Sequence, residues 1–287
     1  METKIIDGKA IAKNIISEVV REIKLLKVKG IKPKLVTIQV GENSSSSVYV
    51  NQQKKSCKKV DINYELKTFA TDITEIDLIE EIDRLNREQD VTGIILQMPM
   101  PKTIDGRKIR ASIAPEKDVE GVNPTNIGWL LYGNPLLAPC TALAVKEIID
   151  STGIALYGKQ AVVVGHSDIV GKPVALLLLN EFATVSVCHI ATTQAGMLEQ
   201  YVGIADILVV AVGKPSVVAG EWVKQGAVVV DVGINRVDDK IVGDVTSEKA
   251  IGRASFITPV PGGVGPVTTA ILLKNVIKAA KWTEKQQ

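Results

Sequence analysis

Apolar side chains recur at three- and four-residue spacing between residues 9 and 28, at Ile11, Ile15, Ile16, Val19, Val20, Ile23 and Leu26. That spacing puts them on one stripe of an amphipathic helix, and Gly30 supplies its stop. The period then shortens. Lys34–Val40 reads as a strand, the loop GENSSSS follows, and a second helical stretch runs from about Val48 to Val60. A strand near Tyr64–Phe69, a helix at Glu75–Arg87 and a strand at Gly93–Gln97 complete a βαβαβ rhythm. From Met98 to Pro139 the periodicity gives way to MPMPKTIDG, APEKDVEGVNP and GNPLLAP. Long irregular stretches of this kind in a compact protein build sites rather than cores.

A helix from Thr141 leads into a more hydrophobic half. Ala161–Val164 is an unbroken run of the kind buried on both faces of a parallel sheet, and TVSVCHI, ADILVVAVG, GAVVVDVG and ASFITPV each read as a further strand. Four or five parallel strands with intervening helices predict a Rossmann-like domain. A last helix, about Pro266 to Lys281, is expected to return to the first domain. The prediction is α/β with two domains around a cleft: residues 1–139 with 266–287, and residues 140–265. Such a cleft is the usual place for a cofactor to meet a substrate.

Composition narrows the class. A chain of 287 residues that is 46% hydrophobic can bury a large core. The net charge is +2, and basic residues are scattered except for Lys54, Lys55, Lys58 and Lys59, which read as a solvated helix face. Nucleic acid is not the expected partner. The start METKIIDGKAIAKN turns polar too soon for a signal peptide, and no apolar run is long enough to span a bilayer, so a cytoplasmic protein without a membrane partner is expected. Cys57, Cys140 and Cys188 form no C-x-x-C pair, which predicts inert thiols and no bound metal.

The segment GKQAVVVGHSDIVGKPVALLLLN, residues 158–180, carries the first chemistry. It reads as a buried strand, a sharp turn at Gly165 and a helix opening at Gly171 and Pro173. Unpaired N–H groups and the positive end of the helix dipole there suit a pyrophosphate. Ser167 stands where the G-x-G-x-x-G pattern has its second glycine, so an ordinary βα turn is the competing reading.

Seven motifs, VGENSSSSVYV, GIILQMPMP, PEKDVEGVNPTNIG, PCT, VVVGHSDIVGKP, DVGIN and TPVPGGVGPVTTA, come in an order that resembles the bifunctional methylenetetrahydrofolate dehydrogenase/cyclohydrolase family. The resemblance implies two coupled reactions. A hydride passes from 5,10-methylenetetrahydrofolate to NAD(P)+, and water then opens 5,10-methenyltetrahydrofolate to the 10-formyl product. It implies that Tyr49 stacks on the aminobenzoyl ring, that Gln97 bonds the family's catalytic lysine, and that Glu120 holds the pterin. Pro261, Gly262 and Gly263 would bring backbone to the ligands, and Gly165, His166, Ser167, Val170, Gly171, Ile190, Gly213 and Ile234 would bind the cofactor. A homodimer is implied as well.

The chain departs from that pattern at three places. The family has lysine four residues after the tyrosine, where this sequence has Gln53. Tyr49 and Gln53 share a helix face, whereas Lys54 and Lys55 point roughly 100° and 200° away. Dehydrogenase activity is therefore expected to persist and cyclohydrolase activity to be low or absent. Glu120 replaces an aspartate, which implies either a shifted pterin or weaker folate binding. His166 and Ile190 replace the arginine and serine that hold the 2′-phosphate of NADP. NADP by resemblance and NAD by these residues both stand, and no Asp or Glu ends TVSVCHI to take ribose hydroxyls. A folate-binding paralogue with a regulatory role is the alternative function. Plainer roles are expected for Asp118 (loop cap), Asp231 (strand end), Cys140 (loop packing), the tryptophans (packing) and Ser44–Ser47 (helix cap).

Overall fold

The computed structural model describes residues 2–41 and 44–286, the side chains of 44–48 and 285–286 excepted. Along the chain come β1 (Lys4–Ile5), α1 (Gly8–Val28), β2 (Lys34–Val40), α2 (Ser44–Val60), β3 (Asn63–Phe69), α3 (Glu75–Arg87) and β4 (Gly93–Leu96). Then follow α4 (Gly106–Ser112), α5 (Pro124–Leu131), α6 (Cys140–Ser151), β5 (Gln160–Val164), α7 (Gly171–Asn180) and β6 (Thr184–Cys188). The rest is α8 (Ile190–Gln194), α9 (Leu198–Ile204), β7 (Ile207–Val210), β8 (Val228–Asp231), β9 (Asn235–Val237), β10 (Lys240–Val242), α10 (Ser247–Ala250), β11 (Phe256–Ile257) and α11 (Val264–Gln286). They form two compact units, one of residues 14–140 and 272–287, the other of residues 1–13 and 141–271.

In the first unit, β3, β2 and β4 form a parallel sheet in the order β3-β2-β4. Alternation along β2 assigns its two faces. Val36, Ile38 and Val40 pack with Leu78, Ile82 and Leu85 of α3. Leu35 packs on the other side with Val19, Ile23 and Leu26 of α1, Cys57 of α2 and Val276 and Ile277 of α11. Each fully buried side chain of this size contributes roughly 1.5–3 kcal/mol. Thr37 falls on that second face, a buried hydroxyl in an apolar layer. Helix α3 matches its prediction because its ends are signalled: the Thr74 hydroxyl accepts from Asp77 N at 3.1 Å, acidic residues fill the first turn and basic ones the last.

In the second unit, six parallel strands stand in the order β1-β11-β8-β7-β5-β6. Every residue of β7 and β8 is buried, as is Ala161–Val164 of β5. This is the Rossmann-like sheet that the pattern predicts.

Four expectations are corrected. The sheet has a sixth strand, because Lys4 and Ile5 pair with Phe256 and Ile257; two residues are too short to show a period. Residues 1–13 and 266–271 group with the second unit, and residue 140 with the first, rather than as the division 1–139 with 266–287 and 140–265 expects. Helix α2 begins at Ser44, not near Val48, since serines supply no apolar period yet suit a first turn; the capping role expected of Ser44–Ser47 lies outside the described side chains. The stretch 98–139 is not wholly irregular, for it holds α4, capped by Asp105, and α5, capped by Asn123 with Pro124 in its first turn.

Candidate active site

In the second unit the turn after β5 is fixed by two close approaches. Gly165 has φ +124°, and a Cβ there would lie 2.3 Å from the Ala211 carbonyl oxygen. At Gly171 a Cβ would lie 2.0 Å from the Gly165 carbonyl oxygen. Only glycine fits at either place. The Ser167 hydroxyl accepts from Val170 N at 3.2 Å and Gly171 N at 3.4 Å, so it caps the loop before α7 and occupies donors that a bare helix N-terminus would offer.

Around this turn the ends of the parallel strands share one property. Ile169 after β5, Ile190 after β6, Val212 after β7 and Ile234 after β8 are all exposed, Ile190 to 65% and Ile234 to 59%. Branched apolar side chains at the carboxyl edge of a parallel sheet make the surface on which such folds seat a planar ligand. His166 and His189 stand together there, with ring centroids 5.4 Å apart. The sequence reading gives His189 no ligand role, because only pairing of β5 with β6 brings it beside His166.

In the first unit, Tyr49 is exposed on α2 and Gln53, one turn on, is half-buried. The Gln53 amide oxygen accepts from the Thr37 hydroxyl and from the Tyr64 hydroxyl, each at 3.3 Å. Burial raises the pKa of the Tyr64 phenol. Lys54 and Lys55 are exposed, as the helix geometry requires. The sequence reading places Thr37 and Tyr64 in strands and gives neither a site role. They reach Gln53 from β2 and β3, and a threonine amid the apolar run KLVTIQV is the one local sign.

Gln97 follows β4; its N–H donates to Ile38 O at 2.8 Å and its amide nitrogen to Met98 O at 3.2 Å. Glu120 Oε2 accepts from Leu96 N at 3.4 Å, which puts this carboxyl at the carboxyl end of β4 beside Gln97. Desolvation raises its pKa to about 7, the neighbouring Asp118 adds to the rise and Arg110 opposes it. Asp118 itself is buried; its Oδ2 accepts from Asn123 N at 2.6 Å and Asn126 Nδ2 at 2.9 Å. Desolvation raises its pKa while those bonds oppose the shift. It holds the 118–126 loop. Arg110 Nε is buried without a hydrogen-bond partner.

Tyr49, Gln53, Gln97 and Glu120 thus belong to the first unit. Pro261, Gly262 and Gly263 belong to the second, in the turn before α11, where the Val260–Pro261 peptide is cis. Cys140 Sγ donates to Val119 O at 3.3 Å and is pushed well above its usual pKa by burial, the state of a packing thiol. Burial likewise pushes Cys57 up to about 12 and Cys188 to about 11. Among the described residues no cluster of three or more His, Cys, Asp or Glu could hold a metal, and no helix is long and apolar enough to cross a membrane.

The sheet, its glycine turn and the apolar strand ends define a nucleotide-binding α/β protein. Residues 139–284 match the tetrahydrofolate dehydrogenase/cyclohydrolase NAD(P)-binding domain, and residues 6–120 match the catalytic domain of the same name. The chain belongs to the tetrahydrofolate dehydrogenase/cyclohydrolase family. It is 47% identical over 279 residues to the bifunctional protein FolD of Geotalea daltonii, covering 97% of this chain and 99% of that one. The crystal structure of the bifunctional enzyme FolD from Campylobacter jejuni superimposes with a TM-score of 0.94 at 43% identity, covering 97% of this chain and 99% of that one. The FolD of Trypanosoma brucei, solved with NADP cofactor and an inhibitor, gives a TM-score of 0.93 at 41% identity, with 99% of both chains covered.

Proposed function

We propose that this chain oxidises 5,10-methylenetetrahydrofolate to 5,10-methenyltetrahydrofolate with NAD(P)+, and that it opens the methenyl ring slowly or not at all. In this reading the unit of residues 14–140 carries the folate contacts and the unit of residues 141–271 the nucleotide. Tyr49 stacks on the aminobenzoyl ring, Glu120 and Gln97 hold the pterin side, and Pro261, Gly262 and Gly263 line the ligands with backbone. Gly165, His166, Ser167, Val170, Gly171, Ile190, Gly213 and Ile234 receive the cofactor. A homodimer is part of the same reading, and sedimentation of the full chain tests it.

The observation that carries the split between the two steps is the bonding of Gln53. Hydride transfer needs a donor and an acceptor held in line; the folate nitrogen's lone pair drives it, and the nicotinamide supplies the chemistry. Ring opening needs a group that takes a proton from water and returns one. An amide donates and accepts hydrogen bonds but does not take up or release a proton near neutral pH. With its oxygen accepting from two hydroxyls, Gln53 presents its N–H groups as donors, which can bind a ligand oxygen but cannot deprotonate water. Lys54 and Lys55 are exposed on other faces of α2. Following both chromophores in one reaction tests the reading: reduced nucleotide and methenyl product should accumulate together. Methenyl product consumed as fast as reduced nucleotide forms would contradict it.

Cofactor choice turns on His166 and His189. Two imidazoles beside the end of β6 can donate to a 2′-phosphate, and cationic imidazole strengthens that bond. With no carboxylate at the end of β6 to repel phosphate, NADP+ is the favoured substrate, and NAD+ is accepted because nothing there requires the phosphate.

A further inference from the structure

Two buried aspartates outside the residues assigned above tie together the strand ends of the second unit. Asp244 is fully buried, and its carboxylate accepts from three consecutive backbone N–H groups: Val212 and Gly213 at 2.7 and 2.9 Å on Oδ2, and Lys214 at 2.9 Å on Oδ1. Oδ1 also accepts from Asn235 Nδ2 at 2.8 Å. Asp231, at the end of β8, accepts from Gly233 N and Asp244 N at 3.0 Å each and from Val245 N at 2.9 Å. The packing leaves no slack, since a Cβ on Gly233 would lie 2.1 Å from Asp244 Oδ1. Three successive N–H groups normally make a cradle for an external anion. Here the anion is internal, while Val212, Gly213 and Lys214 are themselves exposed.

The strand order β6-β5-β7-β8 says which part of a nucleotide meets that face. With the pyrophosphate at the turn after β5 and the adenosine ribose at the end of β6, the other half of a dinucleotide extends over β7 and β8. Val212 and Gly213 follow β7, and Ile234 and Asn235 follow β8. One carboxylate therefore sets the spacing of both walls. We propose that Asp244 is a positioning residue for the nicotinamide half of the cofactor, holding the Val212–Lys214 loop and the Ile234–Asn235 segment at the separation that half requires. The proposal rests on the nucleotide-binding reading above.

Asp244→Asn tests it, because the amide nitrogen faces N–H donors and cannot accept from them. The full-length variant should lose about tenfold or more in affinity for both NAD+ and NADP+ while its affinity for adenosine diphosphate, which lacks the nicotinamide half, stays within about twofold. Asn235→Ala, which removes one of the four bonds, should show the same pattern at about threefold and serves if the first variant does not fold. Equal losses for dinucleotide and adenosine diphosphate would assign these residues to general stability and overturn the proposal; so would unchanged dinucleotide affinity. Wild-type protein that binds neither dinucleotide would bring down the nucleotide-binding reading itself, whereas wild-type binding with unaffected variants brings down only the role of Asp244.

Discussion

The two units differ in what fixes their candidate sites. In the unit of residues 141–271 backbone does the work: Gly165 and Gly171 stand where no Cβ fits, and the loops after β7 and β8 hang from buried carboxylates. In the unit of residues 14–140 the site depends on side-chain identity, an amide at 53 and a glutamate at 120. A backbone-built site keeps its ligand class when the exposed side chains around it change, as long as the glycines and the buried carboxylates stay. A side-chain-built site keeps its shape when one group is exchanged and loses one chemical step. Under the proposed function, this contrast lets a chain keep its family's fold end to end and differ in one of two reactions.

The largest effect should come from attacking the backbone-built site. Gly171→Ala puts a methyl group against the Gly165 carbonyl; a loss of about 3 kcal/mol in stability and of measurable dinucleotide binding is expected. Calorimetry and nucleotide titration check it, and an alanine variant with wild-type affinity would dissolve the contrast. A side-chain change in the same unit should act more selectively. His166→Ala is expected to raise the KM for NADP+ about tenfold, the equivalent of roughly 1.4 kcal/mol, and to leave that for NAD+ within about twofold. Steady-state rates with each cofactor decide it.

Glu120 gives a pH test of the side-chain-built site. In the proposed reading both oxygens of its ionised carboxyl accept from pterin N–H groups, whereas protonation turns one of them into a donor; burial raises its pKa to about 7. The KM for methylenetetrahydrofolate should therefore rise as pH falls below about 7, and Glu120→Gln should flatten that dependence. The linkage to folding has the opposite sign. A carboxyl raised in the native state binds its proton more tightly there than in the unfolded chain, so stability falls as pH rises from the usual carboxylate range through about 7 and is level above. Denaturant unfolding at pH 5 and pH 8 should show a smaller difference for the glutamine variant, the smallest effect of the set.

What the sequence disclosed follows the same division. Five strands of the second unit's sheet and the turn after β5 were legible because buried parallel strands and obligatory glycines leave marks at fixed spacing. Strand β1 was not, because its two residues are strand only through pairing with β11. Helices α4 and α5 hid in a proline-rich stretch because their signals are single caps, Asp105 and Asn123, rather than a period. The amide at 53 was visible, but the hydroxyls that bind it were not: Thr37, Tyr64 and Gln53 meet only when β2, β3 and α2 pack. Asp244 reaches Val212–Lys214 across about thirty residues of chain, a contact no local pattern announces.

The most direct test of the central claim is hydrolysis of 5,10-methenyltetrahydrofolate by the wild-type chain beside Gln53→Lys, corrected for the uncatalysed rate. A wild-type rate close to background is expected, with a gain of about 10²-fold or more in the lysine variant and hydride transfer little changed. A wild-type rate equal to that of the lysine variant would mean that another group moves the proton, and the amide at position 53 would no longer separate the two reactions.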